Sequence, residues 1–289
     1  MSFSINQNLC VACGACFGNC TNRAIIRRGD VYFVTEMCSD CGACVNNCPV
    51  GAIRKGDIKA ELDNKELDKA LKEKLSLKRN IVAMKFADRA PEDVPVEEGP
   101  HFWCAICGDI FQGNGSPVFF TSKASTCGGS TMIGIGSNKA TKEEFDTVIN
   151  SIVIGEGKLY ATRDLMSKGR DSYPLFPNTY GGVVLGSLEH VSMPDLILFP
   201  INAHQMCVVS TAYAFDTGEI INGYAGSPTC LMTVPIPFLR NKPVFTTGDW
   251  GGRTRSRMED DEILASFPYR LVPGLVKNLD RTIYAQEQE

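Results

Sequence analysis

The sequence of 289 residues lacks the excess of basic side chains that general nucleic-acid binding requires. Its 29 Lys and Arg residues are outnumbered by 33 Asp and Glu residues, so the formal net charge is −4. A nucleic-acid-binding surface displaces counterions with positive charge, so this balance excludes nucleic acid as an expected partner. A P-loop is missing too, and Gly134 and Gly136 have no strand–GxGxxG–helix unit around them.

Uninterrupted apolar runs long enough to cross a bilayer are also lacking. Residues 196–215 and 220–239 contain no Asp, Glu, Lys or Arg, but prolines such as Pro200 and Pro235 interrupt them. Because proline breaks an apolar helix, we expect buried strands and helices here and no membrane span. Residues 1–6 have neither the basic nor the apolar region of a signal peptide, which leads us to expect a cytoplasmic protein.

Cysteine, by contrast, is abundant, with 13 residues. In a cytoplasmic chain, clustered cysteines indicate metal or redox chemistry rather than disulfides. Eight of them form an internal repeat, in which the spacing C-x2-C-x2-C-x3-C recurs after 28 residues. The two copies are Cys10, Cys13, Cys16, Cys20 and Cys38, Cys41, Cys44, Cys48.

This spacing is that of bacterial two-cluster ferredoxins, in which the fourth cysteine of each run ligates the other cluster. It predicts one cluster on Cys10, Cys13, Cys16 and Cys48, and a second on Cys38, Cys41, Cys44 and Cys20. A pair of zinc knuckles is the alternative, and eight ligands at this spacing disfavour it. Residues 1–56 thus resemble a bacterial 2[4Fe-4S] ferredoxin, although Thr21 replaces the proline that Pro49 supplies in the second copy.

A charged segment follows the repeat, because 13 of the 23 residues at 57–79 are Asp, Glu, Lys or Arg. Leu67, Leu71 and Leu75 recur at helical spacing, and Asp63 with Glu66 resembles a capping box. We therefore predict one amphipathic helix at about 64–77. The predicted domains are a 2[4Fe-4S] ferredoxin domain at 1–58, a charged linker helix at 59–79 and an α/β domain at 80–289.

The overall prediction is an α+β protein, in which a small two-cluster ferredoxin-like domain precedes a larger mixed α/β domain. For the larger domain we predict strands at 81–86, 118–121, 182–188 and 196–199. We predict helices at 102–111, near 127, and at 141–153, 203–215 and 273–284.

Five cysteines remain outside the repeat, at Cys104, Cys107, Cys127, Cys207 and Cys230. Cys127 lies at a predicted helix start, where the helix dipole favours a thiolate. Cys230 lies in a predicted turn, and Cys207 lies inside a predicted apolar helix, where we expect an inert buried thiol.

Residues 80–275 resemble the family called domain of unknown function 169. The resemblance depends on the segment 82–86, Cys104 at a helix start, the run Cys127-Gly128-Gly129, the segment 194–197 and the pair Ser227 and Cys230. The family characteristically carries cysteines that match Cys104, Cys127 and Cys230. It often has a further cysteine in a Gly-Cys-Asp-Gly-Ser-Arg segment, whose counterpart here, residues 248–253, keeps Arg253 but has no cysteine. The resemblance implies an architecture and no established activity.

Three thiolates at Cys104, Cys127 and Cys230 would suit a third [4Fe-4S] cluster with one open iron, and Cys107 would complete a closed site. The alternative is a set of inert or redox-active thiols. Arg253, Arg255 and Arg257 would hold an anionic group, or would form one face of an exposed strand. The candidate catalytic residues are accordingly Cys104, Cys127, Cys230 and Arg253.

The leading functional hypothesis is a cytoplasmic iron–sulfur oxidoreductase of anaerobic metabolism. Its ferredoxin module would relay low-potential electrons to a reductive site in the larger domain. The alternatives are a non-enzymatic electron-transfer subunit that docks on a larger redox complex, and a redox-sensing or cluster-handling protein. The expected partners are a low-potential electron donor or acceptor protein and a small anionic substrate.

Overall fold

The computed structural model describes residues 3–5, 10–28, 31–35, 37–55, 63–97, 99, 102–121, 133, 161–162, 164–165, 168, 180–226 and 229–286. The chain divides into two compact units. The smaller unit contains residues 1–62 and 238–241, and the larger unit contains residues 63–237 and 242–289.

In its described residues, the smaller unit contains two short pairs of antiparallel strands and two single-turn helices. Its elements are β1 (Phe3–Ile5), α1 (Ala15–Gly18), β2 (Ile25–Arg28), β3 (Val31–Val34), α2 (Ala43–Asn46) and β4 (Ile53–Lys55). Strand β1 pairs antiparallel with β4, and β2 pairs antiparallel with β3. Their buried side chains form one small core: Phe3, Ile5, Cys16, Ile25, Tyr32, Cys44, Ala52 and Ile53.

The predicted amphipathic helix is α3 (Asn64–Leu75), which begins with the predicted capping box. The Asp63 side chain accepts a hydrogen bond from the Glu66 backbone N–H, and the Glu66 side chain accepts one from the Asp63 N–H. Leu67, Leu71 and Leu75 are all buried. Helix α3 lies within the larger unit, so the leucines anchor it there and it is not a free connector.

A mixed eight-stranded sheet organises the larger unit. Its strand order is β10-β11-β12-β9-β5-β8-β7-β6. The strands are β5 (Val82–Ala87), β6 (Val96–Glu97), β7 (Val118–Thr121), β8 (Gly182–Ser187), β9 (Leu196–Ile201), β10 (Asn222–Ala225), β11 (Val244–Gly248) and β12 (Ile263–Pro268). The pairs β10–β11 and β6–β7 at the two edges are parallel, and the other neighbours are antiparallel. Strands β8 and β9 are buried along their whole length, as their apolar sequences predict.

The helices of the larger unit carry the candidate residues. After α3 come α4 (Trp103–Phe111), α5 (Ala203–Thr217), α6 (Thr229–Thr233), α7 (Pro235–Arg240), α8 (Trp250–Ser256), α9 (Val272–Leu279) and α10 (Ile283–Gln286). The last residues of α7, from 238 onward, are assigned to the smaller unit. The predicted strands and helices are present in the described residues with ends shifted by a few positions. The predicted helix at 273–284 is instead two helices, separated by a turn at 280–282. The helices predicted near 127 and at 141–153 lie outside the described residues.

The fold class is α+β, with a small N-terminal unit and a larger unit around a mixed sheet, as predicted. None of the helices in the described part of the chain combines the length and apolar character needed to cross a membrane.

Candidate metal centres

The two cysteine repeats fold in the same way around a left-handed glycine. Gly14 precedes α1 with φ 76°, and Gly42 precedes α2 with φ 74°. Each helix ends at an asparagine whose side-chain amide donates a 2.8 Å hydrogen bond four residues back. The two sequence repeats therefore adopt the same backbone geometry.

Glycine is required before α1 because of backbone conformation and a close aromatic ring. A Cβ atom on Gly14 would lie 2.9 Å from the Tyr32 hydroxyl oxygen, and one on Gly42 would lie 3.5 Å from the Phe3 ring. Both positions also have a positive φ that residues with a side chain rarely adopt. Sequence reasoning did not identify Phe3 or Tyr32 as site residues, although Phe3-Ser4-Ile5 has the alternation of a half-buried strand.

A first cavity is lined by Cys10, Cys13, Cys16 and Cys48. Three of these cysteines come from the first repeat, and the fourth comes from the second. Ile5, Tyr32, Ala52 and Ile53 supply apolar walls.

A second cavity is lined by Cys38, Cys41, Cys44 and Cys20. Here three cysteines come from the second repeat and one from the first. Phe3, Ile25 and Val34 are among its apolar walls. The structure thus brings the eight cysteines together in the two groups of four that the sequence predicted.

Backbone N–H groups point at two of the sulfur atoms. The Ala24 N–H donates to Cys20 Sγ at 3.2 Å, and the Ala52 N–H donates to Cys48 Sγ at 3.2 Å. Such hydrogen bonds stabilise a thiolate and raise the reduction potential of an iron–sulfur cluster that it ligates. Four convergent sulfurs, apolar walls and N–H donors all fit a cubane in each cavity.

The buried cysteines have perturbed acidity. Burial raises the pKa of the Cys16 thiol; a backbone hydrogen bond from Phe17 opposes this shift, and the nearby Cys10 and Cys13 add to it. Burial likewise raises the pKa of Cys44, and Cys38, Cys41 and Cys20 add to the shift. Thiolates gathered this closely repel one another, so cationic iron would be needed to hold all four in the ionised form.

Among the described residues, no three His, Cys, Asp or Glu side chains lie close enough together to hold a single metal ion. A cubane does not require such a group, because each thiolate ligates a different iron atom. The geometry of the cavities is therefore compatible with clusters.

In the larger unit, Cys104 and Cys107 lie one turn apart on α4. Cys104 is partly buried, whereas Cys107 is fully buried and its pKa is raised well above the ordinary value, mainly by burial. A buried thiol of this kind is a poor nucleophile at neutral pH.

Cys230 lies in helix α6 and is buried, which corrects the predicted turn at this position. Its neighbour Thr229 donates two hydrogen bonds to the Asp249 side chain, from the backbone N–H at 3.0 Å and from the hydroxyl at 3.1 Å. Asp249 is the N-cap of α8 and accepts a third hydrogen bond from Gly252. Helix α6 is thereby fixed to the start of α8.

Helix α4 also packs against α8, at the opposite end of that helix. A Cβ atom on Gly108 would lie 2.7 Å from the Arg255 carbonyl oxygen and 2.8 Å from Ser256 Cα. Both Cys104 and Cys230 are thus on helices that contact α8. The third candidate, Cys127, lies outside the described residues.

Cys207 is exposed on α5, so the prediction of a buried thiol was wrong. The helix was predicted correctly, but its buried face is formed by Val208, Val209, Ala212 and Tyr213. Cys207 lies outside this buried face. When apolar residues occur on all sides of a helix, the sequence does not indicate which side is buried.

Arg253 and Arg255 lie in helix α8 and Arg257 is its C-cap, so none of them is in a strand, and each has a partner within the protein. Arg253 donates to the carbonyl oxygens of Thr247, Glu259 and Glu262. Arg255 stacks on the Phe102 ring at 3.9 Å, and Arg257 pairs with Asp109 at 2.8 Å. These contacts favour structural roles for the three arginines rather than the anion site that was one of the two alternatives.

Comparison with known protein families supports both parts of this description. Residues 31–54 match the family model of the 4Fe-4S binding domain, so the chain has an iron–sulfur binding domain of the electron-transfer type. Residues 70–278 match the model of domain of unknown function 169, described as "Uncharacterised ArCR". No curated protein and no solved structure matches the chain. Since the second match spans most of the sequence, the chain belongs to the family of domain of unknown function 169, with a 4Fe-4S binding domain at its N-terminus.

Proposed function

We propose that this protein is an iron–sulfur oxidoreductase whose N-terminal unit holds two [4Fe-4S] clusters and relays low-potential electrons to a reductive site in the larger unit. One observation carries the proposal: each of the two cavities is lined by four cysteines, of which three come from one repeat and one from the other. The ligands would be Cys10, Cys13, Cys16 and Cys48 for the first cluster, and Cys38, Cys41, Cys44 and Cys20 for the second.

A bound cluster would supply reversible transfer of one electron at a time. The protein supplies thiolate ligands, and the apolar walls limit access of water to them. The N–H groups of Ala24 and Ala52 stabilise charge on Cys20 and Cys48. Exposed thiolates and low-potential clusters are sensitive to oxidation, so the proposal places the protein in a reducing, anaerobic cytoplasm.

The crossed ligation can be tested on full-length protein purified and reconstituted without oxygen. The wild type should contain about eight irons and eight acid-labile sulfides per chain. Cys48→Ser should weaken or remove the cluster of the first cavity, and Cys20→Ser that of the second, so each variant should lose about half of the iron. Cys207→Ser, which changes an exposed cysteine outside both cavities, should keep all of it.

Two results would contradict the two-cluster proposal. One is an iron-replete wild type that binds zinc instead of iron. The other is a Cys48→Ser variant whose electron paramagnetic resonance spectrum shows damage to the second cluster and none to the first.

For the reductive site we propose a third centre on Cys104, Cys127 and Cys230, with Cys107 as the fourth ligand if the site is closed. Support comes from helix α8, which contacts the helices of both Cys104 and Cys230 through Gly108 and Asp249. Three ligands would leave one iron open to substrate. Because Arg253 is bound to three carbonyl oxygens, we do not include it among the proposed substrate ligands.

The third centre should be sought in the full chain, since a truncation at residue 80 would remove the buried leucines of α3 from the larger unit. A variant in which all eight repeat cysteines are serine leaves only the cysteines of the larger unit. We expect iron to remain in this variant and to be lost on Cys104→Ser or Cys230→Ser, but not on Cys207→Ser. A folded eight-serine variant that binds no iron would refute the third centre and leave the two-cluster proposal intact.

A further inference from the structure

The mouths of the two cavities differ at matched positions of the repeat. Val11 and Val50 line the first cavity, and the residues at the corresponding places of the second cavity are Ser39 and Asn22. The repeats are otherwise closely similar in helix start, helix end and sulfur hydrogen bonding. The difference therefore concerns the surface around each cavity rather than the way in which each would hold a cluster.

The apolar side chains at the first cavity are turned toward solvent. Val11 is 62% exposed and Val50 is 40% exposed. Phe17 is 51% exposed, and its ring centroid lies 5.8 Å from that of Tyr32, which lines the same cavity. We call Val11, Phe17 and Val50 the first-cavity rim. Single exposed apolar residues are common, but several grouped around one site mark a surface that contacts something.

Basic side chains lie beside residues that line the first cavity. The Arg27 guanidinium lies 5.9 Å from the centroid of the Tyr32 ring. Arg54 and Lys55 are exposed and follow Ile53, which lines the first cavity.

The second cavity has a mixed charge environment. An Asp40 carboxylate oxygen lies 3.8 Å from Cys38 Sγ, and the exposed Arg23 precedes Ala24 in its wall. Of the two surfaces, the first-cavity rim thus combines apolar contact area with positive charge.

We propose that the first-cavity rim is the docking surface for a small acidic electron-carrier protein, which exchanges electrons with the cluster of the first cavity. This inference rests on the proposed function. Close to contact, attraction between acidic side chains of the carrier and Arg27, Arg54 and Lys55 would orient the two proteins, and the three apolar side chains would exclude water. In the exchange, the reduced carrier loses one electron and the oxidised cluster gains it, and no bond forms or breaks.

The basic side chains Arg27, Arg54 and Lys55 favour an acidic protein as the partner. Residues 1–56 contain five basic and three acidic side chains, and each bound cluster with its four thiolates would add a charge of about −2. The choice of an acidic partner therefore rests on the basic side chains at the contact surface and not on the net charge of the unit. The small size of the rim suits a transient redox encounter, which buries little surface and must dissociate after each transfer. Like-charge repulsion would disfavour a basic carrier.

The test uses the full-length holoprotein and two electron donors, under anaerobic stopped-flow conditions at low salt. The protein donor is a reduced acidic two-cluster ferredoxin, and the small-molecule donor is dithionite. The double variant Val11→Ser/Val50→Asn installs the residues that the matched positions of the other repeat already carry, so the fold should tolerate it. We expect the second-order rate constant with the ferredoxin to fall about tenfold and the dithionite rate to stay the same.

Two further variants keep the test decisive if the double variant loses its clusters. Phe17→Ser removes a rim residue that lines neither described cavity, and it should also slow the ferredoxin reaction. Arg27→Glu should lower the rate constant with the ferredoxin and make that rate constant less dependent on salt concentration. Met37→Ser is the matched control, because Met37 is 64% exposed but lines neither cavity, and its ferredoxin rate should stay within about twofold of the wild type.

The outcomes separate the two proposals. A wild type without clusters overturns the proposed function. Rim variants that retain their iron and react with the ferredoxin at the wild-type rate overturn the docking surface alone. An equal loss of rate in Met37→Ser also overturns it, because the effect would then belong to any exposed apolar side chain of the unit.

Discussion

The Thr229 hydroxyl and backbone N–H both donate to one carboxylate oxygen of Asp249, at 3.1 and 3.0 Å. The same carboxylate caps α8, so one side chain joins the helix of Cys230 to the helix that contacts α4. The approach is very close, since a Cβ atom on Gly252 would lie 2.3 Å from Thr229 Oγ1. This contact is the main support for the proposal that Cys104 and Cys230 share one site.

Asp249→Ala should destabilise the larger unit by about 1–3 kcal/mol, because the change removes a helix cap and leaves the Thr229 donors without their acceptor. Thermal unfolding followed by circular dichroism would measure the effect. Asp260→Ala, at an exposed aspartate beyond α8, is the control and should shift the midpoint little. If a third centre exists, Asp249→Ala should also weaken its iron signal.

Gly108→Ala and Gly274→Ala should have opposite effects, although each adds one methyl group to a helix. At Gly108 the methyl would collide with backbone atoms of α8, which cannot move aside as a side chain can, so we expect a loss of about 3 kcal/mol or more. At Gly274 nothing lies within 4 Å, and alanine should stabilise helix α9 by about 0.5 kcal/mol. Chemical denaturation of both variants tests the pair, and equal effects would contradict the packing described for α4 and α8.

Arg23→Gly should stabilise the smaller unit. Arg23 has φ 51°, and Gly51 holds the matched position of the second repeat with φ 61°. A left-handed conformation costs a residue with a Cβ atom roughly 1–2 kcal/mol, and the added freedom of glycine in the unfolded chain offsets part of this, so we expect a net gain of about 0.5–1 kcal/mol. Gly51→Ala should lose a similar amount for backbone reasons alone, because nothing lies within 4 Å of its added Cβ. Differential scanning calorimetry of both variants would show whether the signs are opposite.

Tyr213→Phe should reduce the loss of stability at alkaline pH. Burial raises the pKa of Tyr213 above its ordinary value of 10.0. The Glu219 carboxylate, which accepts a 2.6 Å hydrogen bond from the Tyr213 hydroxyl, raises this pKa further. The folded protein therefore keeps this proton when the unfolded chain releases it, so stability is present below pH 10 and falls as pH rises above about 10. Unfolding measured from about pH 8 to pH 11 should show a shallower decline in Tyr213→Phe than in the wild type or in Tyr224→Phe.

Much of the local structure could be predicted from the sequence. The capping box of α3 depends on Asp63 and Glu66, which are three residues apart, so the interaction requires no distant part of the chain. The strand β7 has the predicted bounds, and the helix of Cys207 has the predicted start. The side of that helix that is buried could not be predicted, because its residues are apolar around most of its circumference and only the neighbouring elements determine which side is covered.

For the candidate sites, the ligand chemistry can be inferred without the fold: two runs of four cysteines at a fixed spacing specify an iron–sulfur site, because the spacing sets which sulfurs reach one cluster. The residues that surround these cysteines depend on long-range packing. The pairing of β1 with β4 and of β2 with β3 places Phe3 and Tyr32 against the two cavities, and it leaves valines at one mouth and Ser39 with Asn22 at the other. In the larger unit, folding places Cys207 in solvent and attaches the helices of Cys104 and Cys230 to α8. These contacts join residues far apart in the chain, and no local pattern encodes them.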